Sequence, residues 1–328
     1  MREKTIITGV LGQDGSYLAE YLIESGYDVY GITRRRSSDA LSYGFLNHLR
    51  DNNHFRLIHG DITDYPFISN LIADIKPSKF FNLAAQSHVG HSFSNPLSTF
   101  ETDANSVVGI LSSIKKDSPA TRFYQASTSE LFGGISCPES GYDEGSAFHP
   151  RSPYGVAKLA SFWSTVNFRE SFGLFSCNGI LFNHGSPRRG LDFFERKLSH
   201  NVAKIKLGLS SKIIFGNLDA SRDLGDSRDY VKAMNAMLDL DKPEEFVIAT
   251  GKSYKMMQMV EIMFEIANIG NWKDYIDFDQ SLLRPAEVPF LLGNPKKAEK
   301  IMGWTPDTRI EKLFEDMYQN DLSILKSK

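Results

Sequence analysis

The nine residues ITGVLGQDG, Ile7 to Gly15, constrain the fold of this chain more than any other stretch. A short apolar run ends in glycines at Gly9, Gly12 and Gly15, spaced G-x-x-G-x-x-G, and a helical pattern begins at once. In that pattern Tyr17, Leu18, Tyr21 and Leu22 fall on adjoining i, i+4 rows, and Gly26 stands where a C′ glycine ends a helix. The alternation continues through DVYGIT, FRLIHGD, KFFNLAA and RFYQAS, apolar runs separated by longer helical patterns. Strands alternating with helices predict βαβ units and a doubly wound parallel α/β sheet of the Rossmann type.

At 328 residues the chain exceeds the usual size of one hydrophobic core, so a smaller appended region is expected. SPYGVAKLASFWSTVNFRESFG reads as a long helix closed by Gly173, and FSCNGILFN as the next buried strand. After Asn183 the pattern loosens. HGSPRRGLDFFERK is rich in turn residues and cations, which suits a ligand-contacting loop and equally a solvated one. KIIFGN, RDYVKAMNAML and EEFVIAT look partly like returns to the sheet. The expected division is a dinucleotide-binding domain over residues 1–183, with returns near 211–250, and a discontinuous substrate-binding region mainly over 184–328.

A net charge of −3, with no like-charge run beyond Arg34 to Arg36, argues against nucleic acid as a partner. No apolar stretch approaches the roughly 18 residues of a membrane span, so no membrane partner is expected. MREKTIITGV passes from charges straight into a strand-like run without a signal core, and a cytoplasmic location follows as the expectation. Cys137 and Cys177 cannot build a disulfide framework and show no metal-like spacing with histidine; a reducing compartment and no metal site are expected.

Glycines after a first strand allow a tight turn and close approach of a pyrophosphate, which then sits on N–H groups at the helix N-terminus. The spacing differs from G-x-G-x-x-G, and the motif alone also fits a structural turn; its strand-turn-helix setting favours a dinucleotide. YGITRRRSS, at the end of the second strand, lacks the acidic residue that accepts from a ribose 2′-hydroxyl. Its arginines fit a 2′-phosphate, so NADP is expected; a solvated basic turn is the plain alternative. In GDITD, Asp61 and Ile62 either flank an adenine or form an ordinary acidic turn.

YGVAK sets Tyr154 and Lys158 one helical turn apart on one face. An ammonium beside a phenol lowers its pKa from the usual ~10 by favouring the phenolate. Such a pair can take a proton from a hydroxyl while hydride leaves the same carbon, although in isolation it is usually a helix-surface contact. In STSELFG, Glu130 follows Thr128 by two residues where a strand-like run ends, a place where composition alone gives a solvated carboxylate.

TGVLGQDGSYLAEYL, AAQSHV, QASTSELFG, SPYGVAK, NGILFNH, SPRRG, GNLDASRD, DYVKAM and RPAEV together resemble the extended short-chain dehydrogenase/reductases. Within them the chain closely resembles the GDP-mannose 4,6-dehydratase family, from about Lys4 to about Pro306. The resemblance implies a catalytic set of Thr128, Glu130, Tyr154 and Lys158. It implies an NADP cradle at Gly9, Gly12, Gln13, Asp14, Arg35, Asp61, Ile62, Leu83, Ala84, Ala85, Gln86, Ser87, Tyr154, Lys158, His184 and Arg189. Groups that hold the GDP-sugar match at Ser87, Asn183, Arg196, Lys197, Asn217, Arg222, Arg284 and Glu287. Arginines suit the diphosphate because a guanidinium binds it bidentately.

The activity implied is redox-neutral loss of water from GDP-mannose to give GDP-4-keto-6-deoxymannose for deoxysugar biosynthesis, by a homo-oligomer, dimer or tetramer. Tyr154 takes the C4 hydroxyl proton, Thr128 orients the ketone, and Glu130 removes the acidified C5 proton, with Glu130 or another nearby group donating a proton to the departing C6 oxygen. A desolvated carboxylate with a raised pKa suits that double task. Several positions depart from the family pattern. Gly185 stands where glutamate is usual, Ser98 where an aromatic is expected near the cofactor, and Leu224 and Asp226 where Trp and His are expected. These departures keep a GDP-manno-heptose dehydratase in view. A nucleotide-sugar 4-epimerase or 4-dehydrogenase needs the Tyr-Lys pair without Glu130, and a non-catalytic NADP-binding regulator needs neither.

Overall fold

The computed structural model describes residues 2–34, 42–283 and 286–327. Its strands in chain order begin with β1 (Lys4–Thr8), β2 (Asp28–Thr33), β3 (Phe55–His59), β4 (Lys79–Asn82), β5 (Arg122–Thr128) and β6 (Ser176–Leu181). They continue with β7 (Asn183–Gly185), β8 (Ile213–Phe215), β9 (Ser221–Asp226), β10 (Phe246–Ile248), β11 (Ser253–Lys255) and β12 (Ile276–Phe278). The helices are α1 (Gln13–Glu24), α2 (Tyr65–Ile75), α3 (Val89–Ser94), α4 (Pro96–Phe100), α5 (Ser106–Asp117) and α6 (Pro153–Phe172). Then follow α7 (Phe194–Lys206), α8 (Ser227–Asp239), α9 (Met256–Ile266), α10 (Lys296–Met302) and α11 (Ile310–Lys326).

Among the described residues, seven strands form one sheet in the order β10-β6-β5-β4-β1-β2-β3, every pair parallel. A parallel sheet is covered on both faces, and neighbouring residues of each strand divide between them. Ile6 and Phe80 pack with Ile68, Ile72 and Ile110 of α2 and α5, while Ile7 and Phe81 pack with Leu18, Tyr230 and Met234 of α1 and α8. The strand order reverses direction between β1 and β4, and a crevice opens there at the carboxyl ends of the strands.

A third apolar cluster joins α7, α9 and α11 through Leu198, Val202, Met259, Met263, Phe314 and Met317, with Ile213 and Phe215 of β8. The returns to the main sheet are therefore α8 and β10. The expected return of KIIFGN does not occur: β8 pairs in parallel with β12 instead. Ile213 and Phe215 face that third core and Ile214 faces out, whereas the main sheet ends at β10 on that side. Beside them, β9 joins β7 in parallel and β11 antiparallel. Among the described residues no helix is long and apolar enough to cross a membrane.

The helix that carries Tyr154 and Lys158 is well defined at both ends. Ser152 caps α6 by accepting from the Gly155 N–H at 3.0 Å, and Pro153 supplies a first residue that needs no N–H partner. Gly173, at φ +70°, closes it as the sequence predicts, its N–H donating to Arg169 O.

Candidate active site

A cavity of about 1130 Å³ runs from the glycine turn, past the ends of β4 and β5, to the third core. Gly9 and Gly15 are fixed by contact. Gly9 sits at φ +67°, and a Cβ there would lie 3.0 Å from the Ala84 backbone; a Cβ on Gly15 would lie 2.4 Å from Gly9 O. The helix thus starts hard against the strand, and no side chain caps its N-terminus. Its uncapped N–H groups are an anion site by construction. Gln13, Asp14, Asp61, Ile62, Ala84, Ala85 and Ser87 line the same end, with Leu83 and Ala84 held by their N–H groups on Thr8 Oγ1 at 3.0 Å.

Two further buried atoms bear on what fills the cavity. Ser127 Oγ and Asn183 Oδ1 have no hydrogen-bond partner among the described residues, although both residues line it. Orphaned polar atoms beside a glycine cradle fit a bound dinucleotide and its substrate. Arg34 stands at the mouth below the end of β2. Arg35 and Arg36, expected at the 2′-phosphate, lie outside the described residues, as does Arg284 of the expected sugar-nucleotide set.

Thr128, Glu130, Tyr154 and Lys158 converge on the middle of the cavity, and all four are buried. β5 ends at Thr128, whose Oγ1 accepts from the Glu130 N–H at 3.2 Å and caps a single 3₁₀ turn, Ser129–Leu131, so that Glu130 faces inward. Against the rise that burial imposes, the Thr128 side chain lowers the pKa of the Tyr154 phenol. Lys158 Nζ donates to Ala126 O at 3.0 Å and lies 5.8 Å from the centre of the Tyr154 ring. The sequence predicts a phenol with lowered pKa; here burial raises it, with help from the charges of Asp103 and Glu130, against Thr128 and Arg189. Burial also lowers Lys158, and Asp103 opposes that fall.

His184 and Asp14 join β7 to α1. His184 Nε2 donates to Asp14 Oδ2 and Nδ1 to Phe182 O, both at 2.8 Å, so both ring nitrogens face acceptors. Burial pulls His184 down, but Asp14 outweighs it and the net shift is upward. Burial alone would raise Asp14; the His184 charge and hydrogen bonds from His184 and Ser227 hold its carboxyl well below the usual range.

At the far end Asn183, Lys197, Asn217, Arg222 and Glu287 line the cavity, with Arg222 and Glu287 paired at 2.8 Å. Arg196 does not: its Nε and Nη2 donate to Asp321 Oδ1 at 3.0 and 2.6 Å, and Nη1 reaches Pro187 O. The reason is helical geometry, since Arg196 points back toward α11 while Lys197, one residue on, faces the cavity. Gln86 is also off the lining, its side chain spent on the backbone of His88 and on Thr99 Oγ1. Ser98 is exposed on α4, away from the expected cofactor contact. Asp226 caps α8, accepting from the Arg228 N–H at 2.8 Å, while Leu224 does line the cavity.

Three residues at the site escape motif reading. Phe193 supports the Arg189 guanidinium at 3.6 Å from its ring centre, and Glu195 Oε1 lies 3.0 Å from Arg189 Nε, too oblique for a hydrogen bond. The third is Asp103. Phe193 and Glu195 meet Arg189 across the bend that enters α7, and Asp103 meets the Gln86 N–H through the fold, so none of these contacts follows a helical spacing.

This strand order, with a Tyr-x-x-x-Lys pair turned toward the glycine turn, is that of an extended short-chain dehydrogenase/reductase. A model of the GDP-mannose 4,6 dehydratase family matches residues 6–317. The chain is 43% identical to GDP-mannose 4,6 dehydratase 2 of Arabidopsis thaliana, over 99% of this chain and 88% of that one. It is 42% identical to the GDP-mannose 4,6 dehydratase of Homo sapiens, over 99% and 93%. The structure of RMD from Pseudomonas aeruginosa complexed with NADPH shares the fold, with a TM-score of 0.81 at 21% identity over 98% and 99% of the two chains. The chain belongs to the GDP-mannose 4,6-dehydratase family.

Proposed function

We propose that this chain removes water from GDP-mannose to give GDP-4-keto-6-deoxymannose, with NADP held on the glycine turn. The observation that carries the reading is the convergence of Glu130 with Thr128, Tyr154 and Lys158 in one cavity. Gly9, Gly12, Gln13 and the start of α1 hold the pyrophosphate, and the cations after β2 take the 2′-phosphate. The bound nicotinamide supplies a hydride carrier between C4 and C6, which makes the reaction redox-neutral. Lys197 and Arg222 face the GDP diphosphate, and Asn183 Oδ1 accepts from a sugar hydroxyl.

Tyr154, as the phenolate that the Lys158 ammonium and a bound cationic nicotinamide would favour, accepts the C4 hydroxyl proton at Oη, and Thr128 Oγ1 orients the C4 oxygen. The resulting ketone acidifies C5. Glu130 takes the C5 proton and passes it to the C6 oxygen, which leaves as water. The proton left on Tyr154 balances the one C5 regains when C6 is reduced. Leu224, a departure from the family pattern that lines the cavity, makes GDP-manno-heptose the second substrate to try.

The test follows the mass of the nucleotide sugar. The parent chain loads with NADP in preference to NAD and lowers the mass of GDP-mannose by that of water. Glu130→Gln retains C4 oxidation, seen as cofactor reduction, but loses dehydration by about 10²-fold or more, whereas Tyr154→Phe suppresses both. Dehydration at the parent rate by Glu130→Gln sinks the role of Glu130; an isomerised product of unchanged mass makes the chain an epimerase.

A further inference from the structure

Glu195 takes no part in the proton transfers set out above, yet it lines the cavity as a buried carboxylate, 8% exposed. Among the described residues Arg189 is the one cation paired with it, Nε lying 3.0 Å from Oε1. Glu195 reaches that cation past Gly185, where a Cβ would lie 2.9 Å from Glu195 Cγ. The bare backbone of β7 thus admits a carboxylate that α7 supplies. A buried carboxylate of this kind is costly unless its cation stays in place.

Three contacts then fix Arg189. The Phe193 ring supports one face of its guanidinium, 3.6 Å from the central carbon to the ring centre. Glu195 stands at the Nε edge. The turn that carries Arg189 is tied down by Arg196, whose Nη1 donates to Pro187 O and, at 3.4 Å, to Arg189 O. A planar guanidinium held on one face and at one edge keeps its Nη edge for another acceptor. Among the described residues no hydrogen bond engages that edge, and Arg189 lines the cavity. Its charge is felt at Asp14 of α1 and at Tyr154 of α6, on the two sides of the crevice.

We infer that Glu195 is a positioning residue: admitted by the bare Gly185, it holds the Arg189 guanidinium with its Nη edge open to a phosphate of the bound nucleotide. The inference rests on a nucleotide filling this cavity as proposed. Phosphate is the matching chemistry because the paired N–H groups of a guanidinium meet two phosphate oxygens at once, and both the cofactor and the GDP-sugar carry it. A cation already oriented when the ligand arrives loses less freedom on binding, which is what the carboxylate contributes.

The test measures equilibrium binding of NADP and of GDP, each alone, to the ligand-free chain by calorimetry. Glu195→Gln keeps the shape and removes the charge. The expected result is a loss of about tenfold in affinity for at least one of the two nucleotides, and the one that falls is the one whose phosphate Arg189 meets. In the Arg189→Met background Glu195→Gln has no further effect, because the group it acts through is gone. Unchanged affinity for both nucleotides overturns the inference, and so does a loss as large in Arg189→Met as in the parent. A Glu195 that served stability alone would lower the melting temperature and leave the affinities of the folded chain unmoved.

Should Glu195→Gln not fold, Gly185→Ala carries the test. Its added methyl meets Glu195 Cγ and drives the carboxylate from Arg189 with both charges retained. It too costs about tenfold in affinity in the parent and nothing in Arg189→Met; an equal cost in both overturns the proposal. Because binding is read without turnover, its failure removes only the role of Glu195. Failure of the dehydratase reading is separate: GDP-mannose of unchanged mass after incubation with the parent chain.

Discussion

Gly185 is a position where one absent side chain is explained by another that is present. A Cβ there would lie 2.9 Å from Glu195 Cγ, inside the closest normal contact, so Glu195 occupies the space a residue-185 side chain would need. Glu195 in turn stands against Arg189. Gly185→Ala overpacks this point and is expected to cost about 1–3 kcal/mol, a drop in melting temperature of several degrees. Glu195→Ala in the same chain frees the space, so the double variant is more stable than the sum of the singles predicts. A thermal double-mutant cycle reads the coupling; strict additivity would mean that Gly185 and Glu195 do not compete for one volume.

At the scale of elements, α7 divides its labour residue by residue. Lys197 lines the cavity, while Arg196 is tied to Asp321 of α11, whose side chain is fully buried and also accepts from Ser199 Oγ at 2.6 Å. Removing one partner of a buried pair leaves an uncompensated charge. Asp321→Ala is expected to destabilise the chain by roughly 3–5 kcal/mol in a denaturant titration, more than Lys197→Ala, which should weaken binding of the GDP-sugar with little change in stability. Sequence placed both cations together because adjacent residues look alike in a motif; only the facing helix, far along the chain, separates them. The same limit explains Asp103, whose bond to the Gln86 N–H is set by tertiary packing. By contrast the glycine turn, the ends of α6 and the Tyr154-Lys158 pair were legible, since each is a local pattern with a local physical cause. β8 was misread because its apolar run, Ile213 to Phe215, fits any sheet, and its pairing with β12 depends on residues about sixty positions away.

Across the whole molecule, the main sheet and the third core meet at the site, and the Asp14–His184 pair spans that junction, with Ser227 of α8 closing it through a 2.5 Å bond to Asp14. Its two members titrate in opposite senses. Asp14 has a depressed pKa, so its contribution is present above the ordinary 3.8 and is lost as pH falls through its folded value. His184 has a raised pKa, so its contribution is complete below the ordinary 6.5 and is lost as pH rises through its folded value. The pair therefore stabilises most between those limits. His184→Gln, compared with the parent by thermal unfolding, should show its largest deficit between the ordinary 3.8 and 6.5 and a smaller one once the pH has risen through the raised folded value of the imidazole. A deficit that is flat or that grows with pH would show His184 to be neutral in the folded chain, its bond to Asp14 then being one of shape rather than charge.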